Sequence, residues 1–177
     1  MELVVLASAD GHPIGTADKA TVHTDNTPLH FAFSAWIIRN GQVLITRRAL
    51  GKKTWPGVWT NSFCGHPGPD EANEDAVNRR AAFEVGITAE LEPECILPGF
   101  AYRAVDASGI VEHEICPVYV AELPEGAELD PNPEEICEHA WIDADKLIAA
   151  ADATPFAFSP WLIEELAHPE LRERITR

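Results

Sequence analysis

The chain has no long hydrophobic run. Nowhere in its 177 residues is there anything near the roughly 18 consecutive apolar residues that a membrane-spanning helix needs. Its first residues, Met1-Glu2-Leu3-Val4-Val5-Leu6, lack the basic region and extended apolar stretch of a secretion signal, and they lack the Arg/Ser-rich character of a transit peptide. A cytoplasmic protein is expected. Cysteine is sparse: the four, at 64, 95, 116 and 137, follow no paired spacing, so each is read as a free thiol in a reducing compartment. Positive charge is also scarce. Thirteen Lys and Arg stand against 29 Asp and Glu, a formal net charge of −16 that argues against nucleic acid and anionic membrane surfaces as partners. No internal repeat, low-complexity segment or linker divides the chain, and its length and 46% apolar content fit one domain, residues 1–177, with a substantial core. Without an evident apolar interface, a monomer is expected.

The few basic residues are not spread evenly. From Arg39 to Gly68 there are five (Arg39, Arg47, Arg48, Lys52, Lys53) and no acidic residue, and Arg79 and Arg80 follow shortly after. An acidic chain that keeps one positive window has a use for it on a small anion; a solvated basic hairpin face is the plainer alternative. Around this window, residues 1–7 read as a strand, with Gly11-His12-Pro13 as a turn. Phe31–Arg39 and Val43–Arg48 read as strands joined through an Asn40-Gly41 hairpin turn. Residues 54–70, rich in Trp, Pro and Gly, read as an ordered loop. A helix is expected from about Asn73 to Val85, with Asn73 as cap, acidic residues in its first turn and Gly86 just past its end. Strands are expected near 90–105, 110–121 and 136–142, and helices near 143–151 and 160–168. This order predicts an α/β sandwich with a mixed sheet.

Two residue patterns carry chemistry. Gly65-x5-Glu71-x7-Arg79 followed by Glu84-x-Gly86-Ile87 resembles the Nudix box, a loop–helix–loop that places carboxylates on one helix face to hold a metal bound to a diphosphate. The hydrolase form of that helix reads Arg-Glu-x-x-Glu-Glu. Here the stretch is Arg79-Arg80-Ala81-Ala82-Phe83-Glu84, with one of the three glutamates left. Hydrolysis needs several carboxylates to hold metals and activate water, so the remnant favours a kept diphosphate site over kept hydrolysis. The second pattern is a set of metal-ligand types: His23, His30, His66, and Glu112 with Glu114 two residues apart. In a strand, i and i+2 share a face, so two carboxylates within Ile110–Cys116 repel unless a cation lies between them; His113 points away. Three imidazoles and two carboxylates suit Mn²⁺, Mg²⁺ or Zn²⁺. For each histidine alone, a surface or satisfied core role is the plainer alternative.

Thr54-Trp55-Pro56-Gly57-Val58-Trp59-Thr60-Asn61-Ser62-Phe63-Cys64-Gly65-His66-Pro67 and Gly109-Ile110-Val111-Glu112-His113-Glu114-Ile115-Cys116-Pro117 closely resemble the type I isopentenyl-diphosphate isomerases. So do His23-Thr24, Leu29-His30-Phe31-Ala32-Phe33-Ser34, Thr46-Arg47-Arg48-Ala49-Leu50 and Ala157-Phe158-Ser159-Pro160-Trp161. The resemblance runs from residue 1 to about 165, and the altered Nudix helix is itself a trait of that family. It implies a Nudix-like α/β/α sandwich with a mixed β-sheet and conversion of isopentenyl diphosphate to dimethylallyl diphosphate in isoprenoid biosynthesis. An unactivated alkene is a weak base and its protonation gives a tertiary carbocation, so the chemistry needs two proton-handling groups on opposite sides of a dry pocket.

By the resemblance, Cys64 and Glu114 are those groups, Tyr102 hydrogen-bonds near the glutamate, and Trp161 lies against the cation, where a ring face contributes roughly 2 kcal/mol in a desolvated site. His23, His30, His66, Glu112 and Glu114 would hold a tight metal, Mn²⁺ or else Zn²⁺ or Mg²⁺. Glu84 and the Cys64 carbonyl would meet a second ion, Mg²⁺, arriving with the diphosphate. Lys19, Arg48, Lys52 and Arg80 match positions that neutralise the diphosphate; Arg79 and Lys53 read as surface residues. The rival readings are a Nudix diphosphohydrolase and a non-catalytic metal-binding module. A flavin-dependent isomerase does not fit, because that class uses a barrel that this chain is too short to form.

Overall fold

The computed structural model describes residues 2–177. It opens with β1 (Leu3–Ala7), which returns antiparallel as β2 (Pro13–Asp18). Asp18 then caps a single helical turn, α1 (Lys19–Val22), by accepting a hydrogen bond from the Ala20 amide. The apolar run expected as one strand from Phe31 to Arg39 is divided. Its first part, β3 (His30–Phe31), belongs to one sheet and its second, β4 (Phe33–Arg39), to another. The expected hairpin forms: Asn40 and Gly41 both take positive φ (51° and 74°) and lead into β5 (Gln42–Arg48). The Trp-, Pro- and Gly-rich stretch is ordered around two short strands, β6 (Trp59–Thr60) on β5 and β7 (Phe63–Gly65) on β4.

Helix α2 (Asn73–Arg80) starts one residue earlier than expected, at the residue read as its cap. Ala72 holds the cap position without a side-chain bond, and Asn73 lies inside the first turn, where Glu74 and Asp75 favour the helix N-terminus electrostatically. The helix continues into a π-helical turn over Ala81–Val85 and stops at Gly86, which is left-handed at φ +72°. A Cβ there would stand 2.6 Å from the Asp130 amide nitrogen. Gly86→Ala therefore meets both a backbone penalty and a backbone clash, and a loss of about 2–3 kcal/mol is expected. Urea denaturation reads it directly; an unchanged midpoint would contradict this account of the helix stop.

The strand expected over 90–105 is also two, β8 (Glu94–Leu97) and β9 (Ala101–Val105), separated at Pro98-Gly99. Likewise 110–121 is β10 (Val111–Ile115) and β11 (Val118–Glu122), broken at Pro117, which has no N–H to continue a ladder. β12 (Ile136–Asp143) leads into α3 (Ala144–Ala153), and α4 (Pro160–Leu166) follows. The final helix, α5 (Pro169–Ile175), was not anticipated, because only two of its seven residues, Leu171 and Ile175, are buried apolar ones and seven residues make no readable period.

Two sheets result. One has the order β2-β1-β3-β10-β9, and the other β12-β5-β4-β11-β8 with β6 and β7 attached. Both are mixed: β3 runs parallel to β10, and β4 parallel to β11. Along β4 the side chains alternate between two cores. Phe33, Ala35 and Ile37 pack with Ala76, Val77 and Ala81 of the α2 side, while Trp36 and Ile38 pack with Leu147, Leu162, Leu166 and Leu171 of the C-terminal helices. Helices thus cover both faces of this sheet, the α/β/α arrangement expected. Register then builds the site. Pairing sets Glu114 beside His30 on one side and Tyr102 on the other, and sets Cys64 beside Ser34. The two sheets diverge where Ala32 separates β3 from β4, and the candidate site lies between them.

Candidate active site and metal centre

His30 on β3, His66 just past β7, His23 at the end of α1 and Glu114 on β10 converge, each offering one ligand atom within 4.8 Å of the others. His30 Nε2 and His66 Nε2 stand 3.2 Å apart, and both approach Glu114 Oε1, at 3.3 and 3.1 Å. The tautomer of His30 follows from its other nitrogen. Nδ1 lies 2.9 Å from the Pro28 carbonyl, which can only accept, so Nδ1 carries a proton and Nε2 is the atom that His30 turns to the cluster. Glu112 joins through His23, with Oε2 3.2 Å from His23 Nε2, while its Oε1 accepts from the Thr54 hydroxyl at 2.7 Å. His23 Nε2 and His66 Nδ1 are buried with no hydrogen-bond partner. Crowded lone pairs and unpartnered nitrogens beside a buried carboxylate are a donor set that fits a divalent ion. As alternation requires, Glu112 and Glu114 are buried and His113 is not.

Burial by itself would raise the Glu114 carboxyl, but hydrogen bonds and charge from His30 and His66 hold it well below the usual range. His66 is lowered by burial, which outweighs the pull of Glu114; at His30 the same carboxylate wins over burial and the imidazole is raised. Tyr102 donates to Glu114 Oε2 at 3.0 Å, and burial followed by the Glu114 charge keeps its phenol protonated far above the usual range.

His23, His66, Glu112, Glu114 and Tyr102 share one cavity of ≈ 600 Å³ with Cys64, Trp161, Arg48, Lys19, Lys52, Arg80 and Glu84, and His30 lies fully buried behind its wall. The cavity has an apolar end and a charged end, which meet where the Arg48 guanidinium lies 5.5 Å over the Trp161 ring. At the apolar end, Trp161 packs edge-on against Trp55 (5.4 Å between centroids) and tilted against Tyr102 (5.8 Å). The Cys64 thiol is pushed well up by burial and then by the Glu165 and Glu114 carboxyls, so it stays an S–H. At the charged end, Arg48 is tethered to the Thr54 carbonyl (3.2 and 2.9 Å), Lys19 pairs with Glu2 (2.9 Å), Lys52 with Glu135, and Arg80 with Glu84. Three of the four basic residues are therefore held by acids, and Arg48 by a backbone carbonyl, before any ligand arrives.

Residues 28–162 match the NUDIX domain family. A Corynebacterium glutamicum protein named isopentenyl-diphosphate Delta-isomerase is 58% identical over 99% of this chain and 94% of its own length. A Clavibacter sepedonicus protein of the same name is 58% identical over 93% of this chain and 86% of its own. The chain belongs to the isopentenyl-diphosphate Delta-isomerase family. Among solved structures, DR0079 from Deinococcus radiodurans covers 99% of this chain and 100% of its own at a TM-score of 0.69 and 20% identity. RenU, a Nudix hydrolase from M. smegmatis, covers 97% and 92% at a TM-score of 0.59 and 20% identity. At such identities these two establish the Nudix fold and nothing further.

Within this isomerase family member, the cavity is lined by all the site residues expected from sequence except His30, which reaches the cluster from behind through His66 and Glu114. Sequence reasoning missed others. Arg79 is more than a surface residue: it forms two 2.7 Å bonds to Glu71 and donates to the His66 carbonyl at 3.1 Å, while Glu71 accepts from the Gly68 amide, so the helix clamps the loop that carries His66. The Gly-x5-Glu-x7-Arg spacing was the available signal. Gly65 must be glycine, since a Cβ would stand 2.8 Å from both Phe33 and Arg80. Glu2 and Glu135 had no signal, because nothing local ties them to Lys19 and Lys52. Among the described residues, no helix is long and apolar enough to cross a membrane.

Proposed function

We propose that the chain converts isopentenyl diphosphate to dimethylallyl diphosphate, with Cys64 and Glu114 as the proton-handling pair. The observation that carries this reading is that Cys64, Glu114, Tyr102 and Trp161 line one cavity with the basic residues. The diphosphate binds at the charged end, neutralised by Lys19, Arg48, Lys52 and Arg80, and this fixes the alkene at the apolar end. One of Cys64 and Glu114 delivers a proton to the terminal carbon; the other removes one from the carbon nearer the diphosphate, so the proton balance is zero. Tyr102 holds the Glu114 carboxyl in orientation, and the Trp161 ring faces the tertiary cation, where it excludes water and favours positive charge.

His23, His30, His66, Glu112 and Glu114 would hold a tight divalent ion, Mn²⁺ or else Zn²⁺ or Mg²⁺, and Glu84 with the Cys64 carbonyl would meet Mg²⁺ brought by the diphosphate. When bound, the tight ion supplies positive charge that tunes the ligated carboxyl. The same reading has the enzyme act as one domain and as a monomer, in the cytoplasm.

Incubation with isopentenyl diphosphate and Mg²⁺ in deuterated water, followed by NMR, tests it. Dimethylallyl diphosphate carrying deuterium is expected. Prior treatment with a chelator is expected to abolish turnover, and Mn²⁺ with Mg²⁺ to restore it. Release of phosphate with no isomerised product would instead favour a diphosphohydrolase.

A further inference from the structure

Asn61, in the turn between β6 and β7, is fully buried and does not line the cavity. Its amide can face only one way. Nδ2 lies 3.0 Å from the Ala35 carbonyl and 2.9 Å from the Phe63 carbonyl, and these groups only accept. Oδ1 must therefore face the opposite side. There it lies 3.0 Å from Trp161 Nε1, which only donates, and 3.5 Å from Cys64 Sγ, which can donate to it and which also lies 3.5 Å from Nδ2. The third neighbour, the Thr60 hydroxyl at 2.7 Å, has an alternative acceptor in Ser159 Oγ, also at 2.7 Å. Asn61 thus contacts both of the groups that do face the cavity, Trp161 and Cys64.

A second line of bonds fixes Asn61 from behind. Ser34 Oγ accepts from Asn61 Nδ2 at 2.9 Å and donates to Glu165 Oε2 at 2.9 Å, and that oxygen also accepts from Trp36 Nε1 at 2.6 Å. Glu165 and Trp161 are four residues apart on α4 and so share a face. The chain of bonds leaves α4 at Glu165, crosses Ser34 and Asn61, and returns to α4 at Trp161. Ser34, Asn61 and Glu165 are all fully buried. Apolar side chains would fill this space without desolvating amides and carboxyls; what the polar chain adds is one defined arrangement.

The geometry points to Asn61 as the positioning residue of the reaction: its Oδ1 holds the Cys64 thiol and the Trp161 indole in fixed relation, with Ser34 as its buttress. This rests on the isomerase reading of the cavity. The proton-handling sulfur and the ring that faces the cation come from different elements, β7 and α4, and Asn61 is the group bonded to both.

The test compares wild type, Asn61→Ala and Ser34→Ala in steady-state turnover of isopentenyl diphosphate, with products resolved by NMR. For Asn61→Ala, kcat is expected to fall about 10²-fold with KM within about threefold, because misplacement by about 1 Å suffices for such a loss, while Lys19, Lys52 and Arg80 are held by Glu2, Glu135 and Glu84 and only Arg48 lies against Trp161. A hydrated by-product is also expected: water adds to the cation, a C–O bond forms at the tertiary carbon, and a proton is released. A purely structural role would lower the amount of active protein without changing the product ratio. Ser34→Ala, which leaves Asn61 its two carbonyl partners, is expected to show the same pattern at roughly a tenth of the effect, and it carries the test if Asn61→Ala does not fold. Wild-type kcat and product ratio in Asn61→Ala, or in Ser34→Ala should that be the variant that folds, would overturn the assignment, as would a parallel rise in KM. A wild type that does not isomerise would overturn the reading of the cavity itself.

Discussion

Replacing Cys64 by Ala, or Glu114 by Gln, is expected to lower isomerisation by at least about 10³-fold, at the upper end of what positioned proton transfer contributes. Both side chains border the same cavity, and the unactivated alkene offers no alternative acid or base. Loss of fold does not explain such a drop. The Cys64 sulfur borders the existing cavity, so removing it widens that space rather than opening a new one and costs roughly 1–2 kcal/mol. Gln keeps the volume of Glu114 and can still accept from Tyr102 at the position of Oε2. The deuterium-incorporation assay at equal protein concentration, with circular dichroism to check the fold, measures the effect. Turnover within tenfold of wild type in either variant would remove that residue from the proton-handling pair.

A second large effect concerns Glu165. Burial, only partly offset by the bonds from Ser34 and Trp36, raises its carboxyl to about 8, and its Oε1 has no partner. In the unfolded chain the group ionises near the ordinary 4.5. Between these values the unfolded state has lost a proton that the folded state keeps, so the stabilising contribution is complete below 4.5, is lost as pH rises, and is gone above about 8. At about 1.4 kcal/mol per pH unit across that window, the change is roughly 3–5 kcal/mol. Glu165→Gln has no such proton. Whatever its stability at pH 5, it is expected to gain that amount on wild type by pH 8, measured as the difference in urea unfolding free energy at several pH values. Parallel pH profiles for the two proteins would mean that Glu165 is ionised in the fold.

How much of this was readable in one dimension depends on how local each feature is. The Asn40-Gly41 turn and the stop at Gly86 were, because positive φ within a few residues decides them. The alternation that buries Glu112 and Glu114 together was, because a strand has period two. The strand breaks were not. Phe31–Arg39, 90–105 and 110–121 each look like one extended apolar segment, and whether such a segment stays in one sheet or crosses to the next is set by what pairs with it. The Arg79 clamp carried a spacing signal that composition alone outweighed. Glu2 and Glu135 carried none, since their partners are brought to them from 17 and 83 residues away.

The sequence by itself therefore determined the chemistry available to this protein: the ligand types, the thiol, the carboxylates, the basic window in an acidic chain, and the family those motifs share. Tertiary structure alone decided how they meet. The parallel register of β3 on β10 sets His30 against Glu114, the pairing of β7 on β4 sets Cys64 beside Ser34, and a buried amide joins the thiol to an indole on a distant helix. The physical reason is that residue identity supplies donors, acceptors and charge, whereas hydrogen-bond strength and pKa depend on distance and burial, which exist only once the chain has packed.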